Sequence, residues 1–515
     1  MSRTHRQFQG GGMNAIDRVR AALTRVFGRS GPLVLSRFTS FVVGIGLPLV
    51  LVRLLEPAQY GAYKQFFLIG MTVLLVGQIG MTQSLFYFVP RGGTQRGIYV
   101  AQALTVLAGL GLVLGAGLWA LGPQLAAWLG SPELASLRLP LAIYGGGMLA
   151  AAPLEGSLIS DGRVNGAAFV YTSSDLIRTV LMVAAAKLLG GHWLFWAAAL
   201  LAVLRVMTLW ILVLRGDLPF ARPRRSALRA QLDFALPFAG ASLLLVAQQY
   251  FSQYAISASF DPATFALFTI ASFHLPVVDI IFNPICEVMM LELGRPGVRE
   301  NRTIALRHWH EAMDRLSSIL VPAACGAWLV GPFTLPLLFT HRYAAAVPLF
   351  MVTTFGILLA TLPVDALLRA AGETRFLFGF NFVRLVTTVT LVLCGVKLFG
   401  LKGAIIGSLV SETGARVVML LRGRRFFGGP LRDLFDWPML GEIAGASVFA
   451  SVPTYFLRFF LPPTLAAVGV SVAVYGVLYL GVRRAISRMR RKSAAGSALS
   501  GARPGPVQPI AATGS

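Results

Sequence analysis

Charge is what this sequence has least of, and negative charge least of all. Only 13% of its 515 residues are charged, and 21 aspartates and glutamates stand against 45 lysines and arginines. With 56% hydrophobic residues, the chain has too little polar surface to cover a soluble protein of this length. There are three cysteines, Cys286, Cys325 and Cys394. All fall in apolar runs with no pair at metal or redox spacing, which excludes a disulfide framework and leaves buried structural thiols. The sequence also lacks a Gly-Lys-Ser/Thr phosphate loop, a His-Glu-x-x-His zinc motif and the Asp-x-Asp pair of nucleotide-sugar transferases. It therefore carries no recognisable machinery for ATP hydrolysis, and no cofactor is expected. His308 and His310 are two apart, on different faces of a helix, so no metal is expected either.

What the chain has instead is apolar runs long enough to cross a bilayer, about 20 residues each. There are about fourteen: 33–55, 66–89, 100–121, 139–159, 167–189, 193–214, 235–258, 265–291, 316–339, 345–368, 376–396, 401–421, 438–460 and 463–482. This predicts an all-α polytopic membrane protein. Within the third run, Gly109-Leu-Gly-Leu-Val-Leu-Gly115 resembles a dinucleotide fingerprint, but no strand precedes it. Small residues that let helices approach closely explain it better.

The net charge of +24 raises the question of nucleic acid. Its distribution answers it. With the N-terminus placed in the cytoplasm, about 32 lysines and arginines fall in cytoplasmic segments and about 7 in outer loops, the asymmetry of the positive-inside rule. The charge thus sets topology and meets anionic inner-leaflet lipid, and no nucleic acid is expected. The N-terminal segment is basic but has no cleavage site, which reads as a retained first helix. The loop Glu292–Arg315 alternates charged with apolar residues and reads as a helix lying at the membrane interface.

Two halves echo each other. Leu55-Glu56-Pro57-Ala58-Gln59-Tyr60 and its continuation to Tyr63 recur as Phe260-Asp261-Pro262-Ala263-Thr264-Phe265 through Phe268. A shift of 210 aligns Pro153 with Pro363, Glu155 with Asp365, Gly162 with Gly372, Lys187 with Lys397 and Gly190 with Gly400. The organisation that follows is a basic cytoplasmic tail (1–30), an N-lobe of six spans (31–215) and a basic linker (216–234). A C-lobe of six spans (235–422), two further spans (423–482) and a disordered basic cytoplasmic tail (483–515) complete it. Two six-helix lobes related as repeats, plus two helices, suit a transporter.

Ionisable groups at membrane depth are the candidate functional residues, because lipid cannot solvate them. The cations are Arg37, Arg53, Arg178, Arg205, Arg384 and Arg416, and the acids are Glu155, Asp175, Asp279, Glu287, Asp365 and Glu412. Arg37 and Arg53 lie sixteen residues apart, about 24 Å along one helix, and either line a translocation path or snorkel to headgroups. Arg178 and Arg384 lie deeper, and Asp175 is placed to pair with Arg178 on one helix face, in a structural or a functional role. Glu155 and Asp365 each follow a proline by two residues. They read as sites for a coupling ion or as neutralising partners of nearby arginines. Gln248, Gln249, Tyr250, Gln253 and Tyr254 form a polar face on the seventh span, turned to a lumen or bonded to a neighbouring helix.

With these residues in view, the chain resembles the polysaccharide flippase branch of the multidrug/oligosaccharidyl-lipid/polysaccharide exporter superfamily. The resemblance spans residues 31–482. It rests on Arg53-Leu-Leu-Glu-Pro-Ala-Gln-Tyr-Gly-Ala-Tyr, Leu236-Pro237, Ala370-Ala371-Gly372-Glu373-Thr374 and Lys397-Leu-Phe-Gly-Leu-Lys-Gly-Ala404. It implies fourteen helices around a cationic cavity, and a monomer in the bacterial inner membrane with both termini cytoplasmic. The implied cargo is an undecaprenyl-pyrophosphate-linked oligosaccharide for O-antigen, capsule or exopolysaccharide, handed on to a polymerase and chain-length regulator. Arg37, Arg53, Arg178, Arg384, Gln248, Gln249 and Tyr250 would then face substrate, and Glu155 and Asp365 a coupling ion. Relatives often carry an acid where this chain has Gln248 and Gln249. The alternatives are an ion-coupled multidrug exporter, a flippase for the peptidoglycan lipid precursor and a membrane-embedded glycan polymerase or ligase.

The charge pattern makes a direct prediction. Reporter fusions after Arg96, Arg225, Arg307 and Arg425 should read cytoplasmic, and fusions near Glu133, Asp261 and Arg342 should read extracytoplasmic. Opposite readings at Arg225 and Arg307 would break both the topology and the repeat.

Overall fold

The computed structural model describes residues 31–273, 277–295, 297–298 and 301–500, without the side chains of 31–35, 37, 38, 277, 279 and 490–500. The expected N-terminal tail, residues 1–30, and the last fifteen residues lie outside this range. Among the described residues the regular structure is helical, and the fourteen apolar runs all fall on helices, from one to three to a run. The chain is thus a multi-pass membrane protein. Among the described residues, ten helices are long and apolar enough to cross a bilayer unaided.

The first span is α1 (Gly31–Leu54). The second is α2 (Pro57–Gly77) and α3 (Met81–Arg91), and the third is α4 (Arg96–Trp128). The fourth divides into α5 (Arg138–Ala150) and α6 (Pro153–Ser160), followed by α7 (Val164–Leu188), α8 (Trp193–Leu214) and α9 (Arg225–Ser259). Then come α10 (Pro262–Ala271), α11 (Val277–Leu293) and α12 (Arg302–Phe339). The tenth span is α13 (Val347–Thr353), α14 (Phe355–Leu359) and α15 (Val364–Ala370). Last are α16 (Thr374–Phe427), α17 (Trp437–Phe460) and α18 (Leu465–Ser500).

The recurring acid-proline motif is a helix start. Pro57 opens α2, where its missing N–H costs nothing, and the Glu56 N–H donates to Gln59 Oε1 at 3.4 Å. Asp261 does the same work for α10, accepting from the Thr264 hydroxyl at 2.6 Å and from the Ala263 N–H at 3.1 Å. The Thr264 hydroxyl, followed by the backbone donors, holds the Asp261 carboxyl below the usual carboxylate range. The second span therefore begins about nine residues earlier than hydropathy suggests.

The repeat is written into the backbone. Gly162 and Gly372 both have positive φ (84° and 77°), and so do Gly190 and Gly400 (100° and 61°). Gly400 turns the 54-residue α16 back on itself, because Gly395 and Gly407 pack on the carbonyls of Gly403 and Leu391. It is two antiparallel spans joined at one glycine. The prolines aligned between halves, Pro153 and Pro363, both stand where a span is broken.

By compactness the chain divides between Ala266 and Leu267. Helix α9, which the repeat counts with the second half, packs in the first unit. Gln231 Nε2 donates to Ser84 Oγ at 2.8 Å, Gln65 Nε2 donates to Ser257 Oγ at 2.9 Å, and Gly61 lies against the backbone of Pro262. The core of this unit gathers Met81, Leu85, Leu104, Leu107, Leu149 and Leu154. That of the second gathers Trp309, Met313, Val364, Leu367, Met419 and Phe427.

Three expectations change. Residues 302–315 are the first turns of α12, not a separate interfacial helix. Trp309 is fully buried and its Nε1–H donates to the Leu434 carbonyl at 2.8 Å, so the apolar positions face protein. The tail expected to be disordered from residue 483 begins as a continuation of α18 to Ser500, anchored by Arg483 on Asp314 at 2.8 Å. Cys286 is buried as expected, but Cys394 is exposed on α16.

The glycine motif of α4 packs as a helix-approach motif at two of its three positions. A side chain at Gly111 would strike the Gly146 carbonyl and one at Gly115 would come within 3.0 Å of that of Ala142, whereas Gly109 faces open space. Gly111→Leu should therefore destabilise the protein by about 1–3 kcal/mol. Gly109→Leu should leave the melting temperature of the purified protein unchanged.

Candidate functional site

Charged side chains collect where spans are broken. In the first unit α6 starts at Pro153 and carries Glu155 in its first turn. Arg205, reaching over from α8, places Nη2 2.5 Å from Glu155 Oε1, with the two side chains 13% and 18% exposed. One turn of α7 pairs Arg178 with Asp175 at 3.1 Å, as the i,i+3 spacing predicts. Tyr144 of α5 and Tyr63 of α2 both pack on the ring of Phe67. Tyr144 packs on Phe66 and Phe67 at 5.4 and 5.1 Å between ring centroids. The result is a polar cluster walled by aromatic rings.

The second unit builds a related cluster by a different wiring. Arg384 and Arg416, both on α16, share Glu412, with Arg416 Nε 3.0 Å from Glu412 Oε1. Arg416 Nη1 also donates to the Leu362 carbonyl at 2.6 Å, taking up a group freed by the break before α15. Arg416 stands one residue off the constant shift from Arg205. Both arginines reach the broken span of their half, the first through Glu155, the second through the backbone. Asp365 is left to Arg369 at 2.7 Å, nearer the surface. A cavity of about 420 Å³ opens beside Glu412 and Arg416, lined also by Phe273, Phe282, Phe350 and Thr353.

The other expected residues are scattered. The side chain of Arg37, on α1, lies outside the described residues, as does that of Asp279. Arg53 is exposed at the end of α1, where Nη1 donates to the Leu49 carbonyl at 2.7 Å. On α9, Gln248 and Tyr250 are half-buried and Gln249 is exposed. Tyr254, from the same stretch, bonds to Thr72 Oγ1 of α2 at 2.8 Å, the helix-to-helix role. The carboxylates of Glu155 and Asp365 both have arginine partners, which is what the neutralising role requires. Among the described residues no group of three or more His, Cys, Asp or Glu is placed to hold a metal ion. His310 Nε2 instead lies 2.9 Å from the Asp433 carbonyl oxygen.

Sequence reasoning missed Lys64. Hydropathy starts the second span at residue 66 and leaves this lysine in a loop. The Pro57 start puts it in the second turn of α2, with Nζ over the rings of Tyr60 and Tyr63 at 5.3 and 5.6 Å. The signal was present in Glu56-Pro57, an acid and a proline that begin a helix.

A family model described as polysaccharide biosynthesis protein matches residues 50–348. Solved structures share the fold over most of the chain. The lipid II flippase MurJ in an inward closed conformation aligns with a TM-score of 0.70 at 12% identity, covering 88% of this chain and 98% of that one. An inward-facing multidrug resistance MATE family transporter of the MOP superfamily aligns at 0.61 and 18% identity, covering 75% and 94%. A MOP superfamily transporter from Pyrococcus furiosus aligns at 0.53 and 16%, covering 79% and 96%. No curated protein matches the chain.

The ion pair between α6 and α8 is open to a direct test. Glu155→Gln strands Arg205 in a mostly buried site and should cost about 3–5 kcal/mol. Adding Arg205→Gln should recover much of that loss, because no uncompensated charge remains. Melting temperature and membrane-inserted abundance of the three variants measure it.

Proposed function

Because the chain belongs to the family of polysaccharide biosynthesis proteins, we propose that it is a flippase for a lipid-linked oligosaccharide. The cargo is an undecaprenyl-pyrophosphate-linked oligosaccharide, moved from the cytoplasmic to the periplasmic leaflet of a bacterial inner membrane. The observation that carries this reading is the positive excess within each of the two clusters. Lys64, Arg178, Arg205, Arg384 and Arg416 stand against Asp175, Glu155 and Glu412 in the two clusters. A lumen of that sign suits a diphosphate and disfavours a cationic drug.

The headgroup enters from the cytoplasm and its pyrophosphate meets the cationic groups, Arg37 and Arg53 included. Its sugars meet the amides and phenol of Gln248, Gln249 and Tyr250, and the polyprenyl tail stays in lipid. Transport proceeds by alternating access, without hydrolysis of a nucleotide by this chain. An inside-negative potential favours the step by about 2.3 kcal/mol per negative charge moved outward per 100 mV. Glu155 and Asp365 hold arginines in place in this scheme; a coupling ion at either one would have to displace its arginine partner.

Deleting the gene should leave synthesis of the sugar-lipid intact while the lipid-linked oligosaccharide accumulates on the cytoplasmic leaflet. Leaflet-specific labelling of lipid extracts measures this. Normal surface polysaccharide in a strain without a second flippase would refute the reading.

A further inference from the structure

We propose that Lys64 is a cation of the first unit that contacts the diphosphate of the substrate, an inference that rests on the lipid-diphosphate reading above. It lies seven residues after Pro57, about 10 Å along the axis of α2, so its ammonium is placed inside a spanning helix. The other cations of the cluster are neutralised. Arg178 holds Asp175 at 3.1 Å and Arg205 holds Glu155 at 2.5 Å, so each pair has no net charge to offer an anion. Lys64 differs. Among the described residues no carboxylate pairs with it and it donates no hydrogen bond, while its ammonium rests over the faces of Tyr60 and Tyr63.

Those two rings decide where the ammonium points. Tyr60 and Tyr63 are 1% and 6% exposed, so they belong to the protein interior and not to a lipid-facing surface. A lysine that snorkels extends its stem toward headgroups. This one is held against a buried aromatic wall by the quadrupoles of two rings. Ring faces stabilise a cation without consuming its N–H donors, and the side chain is only half-buried. The ammonium therefore keeps donors for phosphate oxygens, and as a point charge on a flexible stem it can follow a diphosphate as the cargo moves. Tyr63 packs on Phe67 at 4.9 Å between ring centroids and Phe67 on Tyr144 at 5.1 Å, so the rings that hold Lys64 continue into the aromatic wall of the first unit.

The test uses the full-length protein in lipid nanodiscs, with undecaprenyl pyrophosphate as probe and undecaprenol as its uncharged counterpart. Native mass spectrometry reads the bound fraction per folded molecule. Wild type should prefer the diphosphate. Lys64→Met should weaken that binding at least about tenfold, the worth of one charge-assisted hydrogen bond. Lys64→Arg should stay within about threefold of wild type, since it retains the charge. Lys187→Met, at an exposed position at the end of α7, should change nothing. If Lys64→Met lowers the melting temperature but binds the diphosphate as wild type does, Lys64 only staples the aromatic wall and the proposal is overturned. Equal loss in the methionine and arginine variants would show that shape and not charge is read, and would overturn it too. If wild type binds undecaprenol as well as the diphosphate, the lipid-diphosphate reading itself falls, and this proposal with it.

Discussion

A charge inside a membrane protein has to find a partner within the protein, since hydrocarbon offers none. Each unpaired ionised group at the middle of a span costs about 2.5–3.5 kcal/mol on insertion. The wiring of this chain follows from that. Arg205 is held by Glu155, Arg178 by Asp175, and Arg384 with Arg416 by Glu412. Two of these arginines also tie separate elements together. The Glu155–Arg205 pair ties α6 to α8, and Arg416 ties the second half of α16 to the broken span before α15.

The breaks themselves are the second consequence of a solvent without hydrogen bonds. Proline at 153 and 363 interrupts a span and frees carbonyls that only protein can satisfy. The Leu362 carbonyl is taken by Arg416, so one arginine serves an ion pair and an orphaned backbone group together. Elsewhere the helices gain stability by close approach, because apolar burial gives no drive toward association in lipid. Gly111 against Gly146, Gly395 against Gly403 and Gly407 against Leu391 are such approaches.

The proposed function rests on what this neutralisation leaves over in each unit. A lumen whose charges were all paired would have no preference for an anion. In the second unit one acid serves two arginines, and in the first Lys64 is held by rings instead of a carboxylate. The surplus is small and sits beside polar, aromatic walls. On the proposed reading, a small surplus attracts a diphosphate without holding it so tightly that release on the far side is lost.

How much of this was legible beforehand divides along one physical line. The sequence by itself determined what depends on neighbours along the chain. Apolar run length set the spans, acid-proline pairs began α2 and α10, and i,i+3 spacing joined Asp175 to Arg178. Matched glycines and prolines revealed the repeat through backbone conformations only those residues tolerate. Only the tertiary structure decided what depends on residues far apart. Glu155 meets Arg205 across 50 positions, Gln65 meets Ser257 across 192, and Trp309 of an apparently interfacial stretch is buried against Leu434. Helix α9 belongs by pattern to one half and by packing to the unit of the other. Periodicity states which face of a helix is apolar, but it carries no term for the helix that will cover it.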